Sequence, residues 1–166
     1  GESKWTTSNL IMGHASITDL RAGRHHFSEV LWRETPLLGG FASTEDRASE
    51  PARLDRIGQP GDTIAWSAGP PGTSERWTLR WNGSAFDFSM HDDRNGLHFE
   101  LTTEPAKPLV FQGPRGFSAK GNTPDAASQY YSFTRLHTSG TVTVADRTAR
   151  VRGTSWMDKE FGSNQL

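Results

Sequence analysis

The chain has 166 residues, a formal net charge of −1 and no cysteine, so disulfides, thiol catalysis and Cys-zinc sites are excluded. Charges of both signs are interspersed, without the basic stripe that nucleic-acid binding needs, and there is no apolar run of the roughly 18 residues a membrane-spanning helix needs. Six Trp and nine Phe against two Tyr point to a few bulky anchors rather than a long aliphatic core, in one domain large enough to bury them.

In chain order, Leu10–Asp19 alternates loosely and is predicted as a strand, with Leu20–Gly23 as a turn and His25–Arg33 as the returning strand. On that second strand His25, Phe27, Glu29 and Leu31 share one face, and His26, Ser28, Val30 and Trp32 the other. Adjacent His25 and His26 therefore point apart and make a poor metal pair, and the six His overall suit structural roles better than ligation. No metal or cofactor is implied; His14 is the histidine that stands out. From Glu34 to Gly61 no period survives, which predicts a long loop with a helical turn near Ala48–Leu54.

Asp62–Ala68 is a short strand closed by Gly69-Pro70-Pro71-Gly72. Trp77, Leu79 and Trp81 then alternate with polar residues, Asn82-Gly83 supplies a turn, and Phe86, Phe88 and Met90 alternate on the way back. A second Asn-Gly pair, Asn95-Gly96, leads into Leu97, Phe99 and Leu101. The pattern is an antiparallel meander, not a parallel α/β sheet. Thr102–Ser128, dense in Pro and Gly, reads as irregular, and its Gly113-Pro-Arg-Gly116 matches no phosphate-binding spacing. Strands return at Tyr130–His137 and Thr141–Val144, Asp146-Arg147 turns the chain, and Ala149–Trp156 is the last clear strand. No amphipathic helix is predicted. The fold class is all-β, antiparallel and barrel-like.

The chain culminates in Trp156-Met157-Asp158-Lys159-Glu160-Phe161-Gly162. Asp158 and Glu160 lie two apart and face the same way on an extended strand. Burial beside aromatic rings, and each other's charge, would raise one of their pKa values, leaving a carboxylic acid able to protonate an alkene, epoxide or carbonyl. Trp156, Phe161, Tyr130 and Tyr131 could stabilise the resulting cation. The alternative is structural: the two carboxylates bind backbone amides or pair with Arg135 and Arg152. A Gly-x-Ser-x-Gly elbow is absent, since Gly153-Thr154-Ser155-Trp156-Met157 lacks the last glycine.

The run from Tyr130 to Gly162, with Met12–Asp19, His25-His26-Phe27 and Phe111–Gly121, resembles the lipocalin-like domain of the AttH and carotenoid 1,2-hydratase (CrtC) family. The family's closing motif reads Trp-Met-Asp-His-Glu-Trp-Gly; this chain has Lys159 and Phe161 in place of the His and second Trp. The resemblance implies a lipocalin-like (calycin) β-barrel, one half of a two-barrel protein enclosing an apolar cavity. The family's Trp-Trp-Tyr strand and its second half have no counterpart here, which predicts a domain over 1–166 that is incomplete at both ends. It would be completed by a further segment or another chain. Relatives hydrate carotenoid ends, cyclise terpenoids or close polyenes by Diels–Alder reaction. By the same resemblance Asp158 corresponds to the acid, with Glu160 beside it, and His14, Tyr131 and Trp156 line the pocket. Phe161 and Arg135 join them as substrate-binding candidates. The expected ligand is an apolar polyene, terpenoid or polyketide, either converted in the pocket or carried unchanged. Bacterial cytoplasm and export are both compatible with this reading.

Overall fold

The computed structural model describes residues 9–41, 62–121 and 126–163, with the side chains of 62 and 161–163 outside that description. The helical turn expected at Ala48–Leu54 falls outside the described residues. Within them the chain is all-β and antiparallel, as expected, with one short 3-10 turn at Pro114–Gly116.

Strands β1 (Leu10–Asp19) and β2 (Arg24–Arg33) form a hairpin with Gly13 opposite Val30 and His14 opposite Glu29. Nine strands make one sheet in the order β11-β10-β7-β6-β5-β4-β3, with β8 and β9 also pairing β10. They are β3 (Gly39–Phe41), β4 (Asp62–Ala68), β5 (Arg76–Trp81), β6 (Phe86–Asp92), β7 (Leu97–Pro105), β8 (Val110–Phe111), β9 (Phe117–Ala119), β10 (Ala127–Val144) and β11 (Arg147–Ser163). Three differences from the sequence reading matter. β3 lies inside the expected loop. β8 and β9 lie inside the expected irregular stretch. The two strands expected at Tyr130–His137 and Thr141–Val144 are one strand of 18 residues, and β11 runs on through the closing motif.

By packing, the chain divides into two units: Gly1–Thr102 with Ser139–Val151, and Thr103–Thr138 with Arg152–Leu166. In the first unit, alternation sends Ile11, Ala15, Ser28 and Val30 inward. Ala15, Val30, Trp77, Met90 and Leu97 form its core, backed by Ile17, Trp32, Phe99 and Val144. Burying a side chain such as Val30, Met90 or Leu97 stabilises the fold by roughly 1.5–3 kcal/mol each. Two indoles are anchored as well as packed against this core: Trp77 Nε1 donates to the His91 carbonyl at 2.9 Å, and Nε1 of the partly buried Trp32 to that of Ala68 at 3.0 Å.

The turns follow their side chains. Asn82 Oδ1 accepts from the backbone N–H of Ser84 and Ala85 at 3.1 and 2.9 Å, closing the β5–β6 connection. The β6–β7 connection is built on Asp92, which is fully buried and accepts from Ser28 Oγ at 2.5 Å and Asn95 Nδ2 at 2.6 Å.

Candidate functional site

The closing motif lies on β11, and alternation puts Trp156, Asp158 and Glu160 on one exposed face. In the second unit that face meets Ser128, Tyr130 and Ser132, which alternate along β10. Asp158 Oδ1 accepts from Ser132 Oγ at 2.5 Å and from Trp156 Nε1 at 2.7 Å. Glu160 Oε1 accepts from Ser128 Oγ at 2.5 Å and forms an ion pair with Lys120.

The Pro- and Gly-rich segment before β10 delivers two further groups. β8 pairs with β10 so that Val110 lies opposite Ser132 and Phe111 opposite Tyr131, and the Gln112 N–H continues the pairing to the Tyr130 carbonyl at 3.0 Å. Gln112 Nε2 then donates to Ser132 Oγ at 2.9 Å, so that hydroxyl receives from Gln112 while giving to Asp158. Gly113 turns the chain at φ 70°, where a Cβ would stand 2.4 Å from the Phe117 carbonyl oxygen; only glycine fits. β9 returns the chain with Ser118 opposite Ser128, which places Lys120 beside Glu160 and 5.7 Å over the Tyr130 ring.

The expectation of a stored proton is corrected by this geometry. Asp158 is held below the usual carboxylate range, first by the Ser132 hydrogen bond, then by those of Trp156 and Tyr130, against a smaller opposing effect of burial. Glu160 is also held low, chiefly by Lys120 and then Ser128, which outweigh burial and the like charge of Asp158. Both side chains are exposed, so desolvation is weak, and every donor favours the charged form. The carboxylate partners are hydroxyls, an indole and Lys120 rather than Arg135 and Arg152.

The other expected residues divide. Trp156 joins the constellation and stays 57% exposed as a residue. Tyr131 and Arg135 lie on the opposite face of β10 from Ser132, because odd and even positions of a strand face apart. Tyr131 meets Phe133 edge-on at 6.1 Å instead, and burial pushes its hydroxyl pKa up. His14 belongs to the first unit, on the exposed face of the β1–β2 hairpin, 3.8 Å from Glu29 and with its ring centroid 5.5 Å from that of Phe27. The side chain of Phe161 lies outside the described residues. Ser128, Ser132, Gln112 and Lys120 were not expected. The alternation Ser128-Tyr130-Ser132 was a signal for two of them, but it acquires meaning only once β10 is known to pair with β11.

The described residues thus form an antiparallel all-β protein whose closing motif presents an indole beside a hydrogen-bonded carboxylate. A family model described as AttH-like matches residues 1–166, and the chain belongs to that family. A crystal structure of an AttH-assigned protein from Nitrosomonas europaea matches at 23% identity with a TM-score of 0.66, over 95% of this chain and 41% of that one. At that identity the likeness speaks for the fold alone, and the chain spans 41% of the length of that neighbour. No curated protein matches at a significant level.

Proposed function

We propose that this chain binds an apolar polyene, terpenoid or polyketide against Trp156 and promotes its cyclisation or hydration, with Asp158 acting as a carboxylate beside developing positive charge. One observation carries the reading: a carboxylate fixed by hydrogen bonds from Ser132 and Trp156 sits next to a tryptophan that is 57% exposed. A preorganised anion and an open π face are what a carbocation-like transition state rewards. The substrate class comes from the resemblance to carotenoid hydratases and terpenoid cyclases, and AttH-like membership supports it. Hydration would take its proton from a group other than Asp158; a pericyclic closure would need none, since holding the ends together suffices. A further segment or second chain would complete the pocket, in keeping with a neighbour more than twice as long.

A second reading, a carrier that releases its ligand unchanged, draws on the same site. Both carboxyls are held ionised and engaged by donors, so neither stores a proton near neutral pH. Native mass spectrometry followed by organic extraction tests for a co-purified apolar molecule. That molecule and its analogues are then incubated with the unaltered chain, Asp158→Asn and Trp156→Ala. The expected result is that Asp158→Asn lowers turnover about 10²–10³-fold and keeps the ligand, as loss of one preorganised electrostatic group does, while Trp156→Ala weakens retention. Turnover that survives Asp158→Asn removes the charge-stabilising role. Ligand held tightly and returned unchanged by every form establishes the carrier.

A further inference from the structure

The first unit holds a second cluster of titratable groups, at the end of the β6–β7 hairpin. His91 on β6 and His98 on β7 face each other across the turn, with Nδ1 atoms 3.1 Å apart. Their ring centroids are 5.0 Å apart and the planes cross at 86°. Behind each ring stands a carboxylate: Glu100 Oε1 is 2.5 Å from His91 Nε2, and Asp93 Oδ1 is 3.1 Å from His98 Nε2. Ser89 Oγ donates to the same Glu100 oxygen at 2.7 Å, which holds that carboxylate in place. The rings border a hollow of about 290 Å³, lined also by Phe99, Glu100, Thr141 and Thr143.

The hydrogen-bond arithmetic is restrictive. A carboxylate behind each ring calls for an N–H on each Nε2, so a neutral ring carries its lone pair on Nδ1. The two lone pairs then converge at 3.1 Å, which is unfavourable unless something positive lies between or beside them. A shared proton would serve, and so would a metal ion. At metal–nitrogen bonds of about 2.0–2.1 Å, two nitrogens this far apart subtend roughly 100° at the ion, between the square-planar and tetrahedral angles. A carboxylate on the outer nitrogen of each ligating imidazole is also the usual support of a metal site, because it fixes tautomer and ring orientation.

We propose that His91 Nδ1 and His98 Nδ1 form a binding site for a divalent transition-metal ion of the imidazole-preferring class, copper, zinc or nickel. Glu100 and Asp93 orient the two rings. Among the described residues no group of three or more metal-type side chains converges, so this is a two-nitrogen site whose other coordination positions open on the hollow, to water or a small ligand. The His91 and His98 side chains are 37% and 24% exposed, which leaves an ion a path in. The site stands independently of the role proposed for Asp158.

The test is a titration of the purified chain with Cu²⁺ and, separately, Zn²⁺. The expected outcome is one saturable equivalent, nitrogen hyperfine structure in the Cu²⁺ EPR spectrum, and Zn²⁺-induced shifts of the His91 and His98 ring resonances. His98→Gln and His91→Gln should each remove that equivalent, and Glu100→Gln should weaken it about 10–100-fold, as loss of an orienting carboxylate does. Circular dichroism establishes that each variant is folded; should one unfold, the ring resonances of the unaltered chain decide alone. Undiminished binding in His98→Gln, shifts confined to other histidines such as His25 and His26, or no saturable binding below about 1 mM, the weak end of specific affinity, would each overturn the proposal.

Discussion

Asp19, Asp92, Asp158 and Glu160 all lie below the ordinary carboxyl range, for different reasons. Asp19 accepts from the Ala22 and Arg21 N–H groups at the β1–β2 turn. At Asp92 burial pulls upward and is outweighed by Ser28, Asn95 and Arg94. A carboxyl whose folded pKa is depressed adds stability above its unfolded value and loses it as pH falls through the folded one. The chain is therefore expected to hold its stability from neutrality down to about pH 4 and to lose it progressively below, where the unfolded carboxyls protonate first. Urea midpoints measured across that range check it, and stability that rises on acidification would contradict it. Asp92→Ala leaves the Ser28 hydroxyl and Asn95 amide facing a buried gap, with an expected loss of about 1–3 kcal/mol in urea unfolding. At this scale the sequence was only partly legible. The shared face of Asp158 and Glu160 follows from their spacing, but the direction of their pKa shifts depends on Ser132 and Lys120, which are 26 and 40 positions away from them (158 − 132 and 160 − 120). The choice between Tyr130 and Tyr131 likewise needs the register of β10, and adjacent residues give no hint of it.

The strands divide by how much of their signal is local. β1 and β4 begin and end where alternation and flanking breakers place them, and the two faces of β2 carry the residues that its period assigns. β8 and β9 have two and three residues, too few for any period, and exist because β10 offers them an edge. β10 looks divided because Thr138-Ser139-Gly140 resembles a break, yet the strand continues through it. Gly140, at φ 152°, brings β10 close to β7: a Cβ there would lie 1.9 Å from the Glu100 carbonyl oxygen and 3.0 Å from Leu101 Cα. Both obstacles are backbone and cannot step aside. Gly140→Ala is expected to cost several kcal/mol and much of the soluble yield. Gly153→Ala, also in a strand but with nothing within 4 Å, should stay within about 0.5 kcal/mol. Parallel chemical unfolding of the two variants checks the contrast, and equal effects would mean that β10 and β7 can separate at Gly140 without loss.

For the molecule as a whole, the all-β class was readable because its Trp and Phe residues sit on period-two positions and its turns carry Asn-Gly. The strand order was only partly so: β11 follows β10 across a two-residue turn, whereas joining β10 to β7 is a long-range choice that no local window contains. That order has a practical outcome. β11, with 17 residues, ends the sheet, and among the described residues no strand pairs with its outer side. Among the described residues that outer side is an open edge and so a template for another copy, and Arg147, Arg150 and Arg152 along its first half are the natural deterrent. Like-charge deterrence has a range, about 10 Å at 0.1 M salt and about 3 Å at 1 M. Sedimentation velocity should therefore show larger species at the higher salt, and earlier in Arg152→Thr; a distribution indifferent to both would clear the edge of that part. If the deterrent works in this way, the colloidal behaviour of this protein is governed by one strand, and a purification that relies on high salt selects against the monomer it sets out to recover.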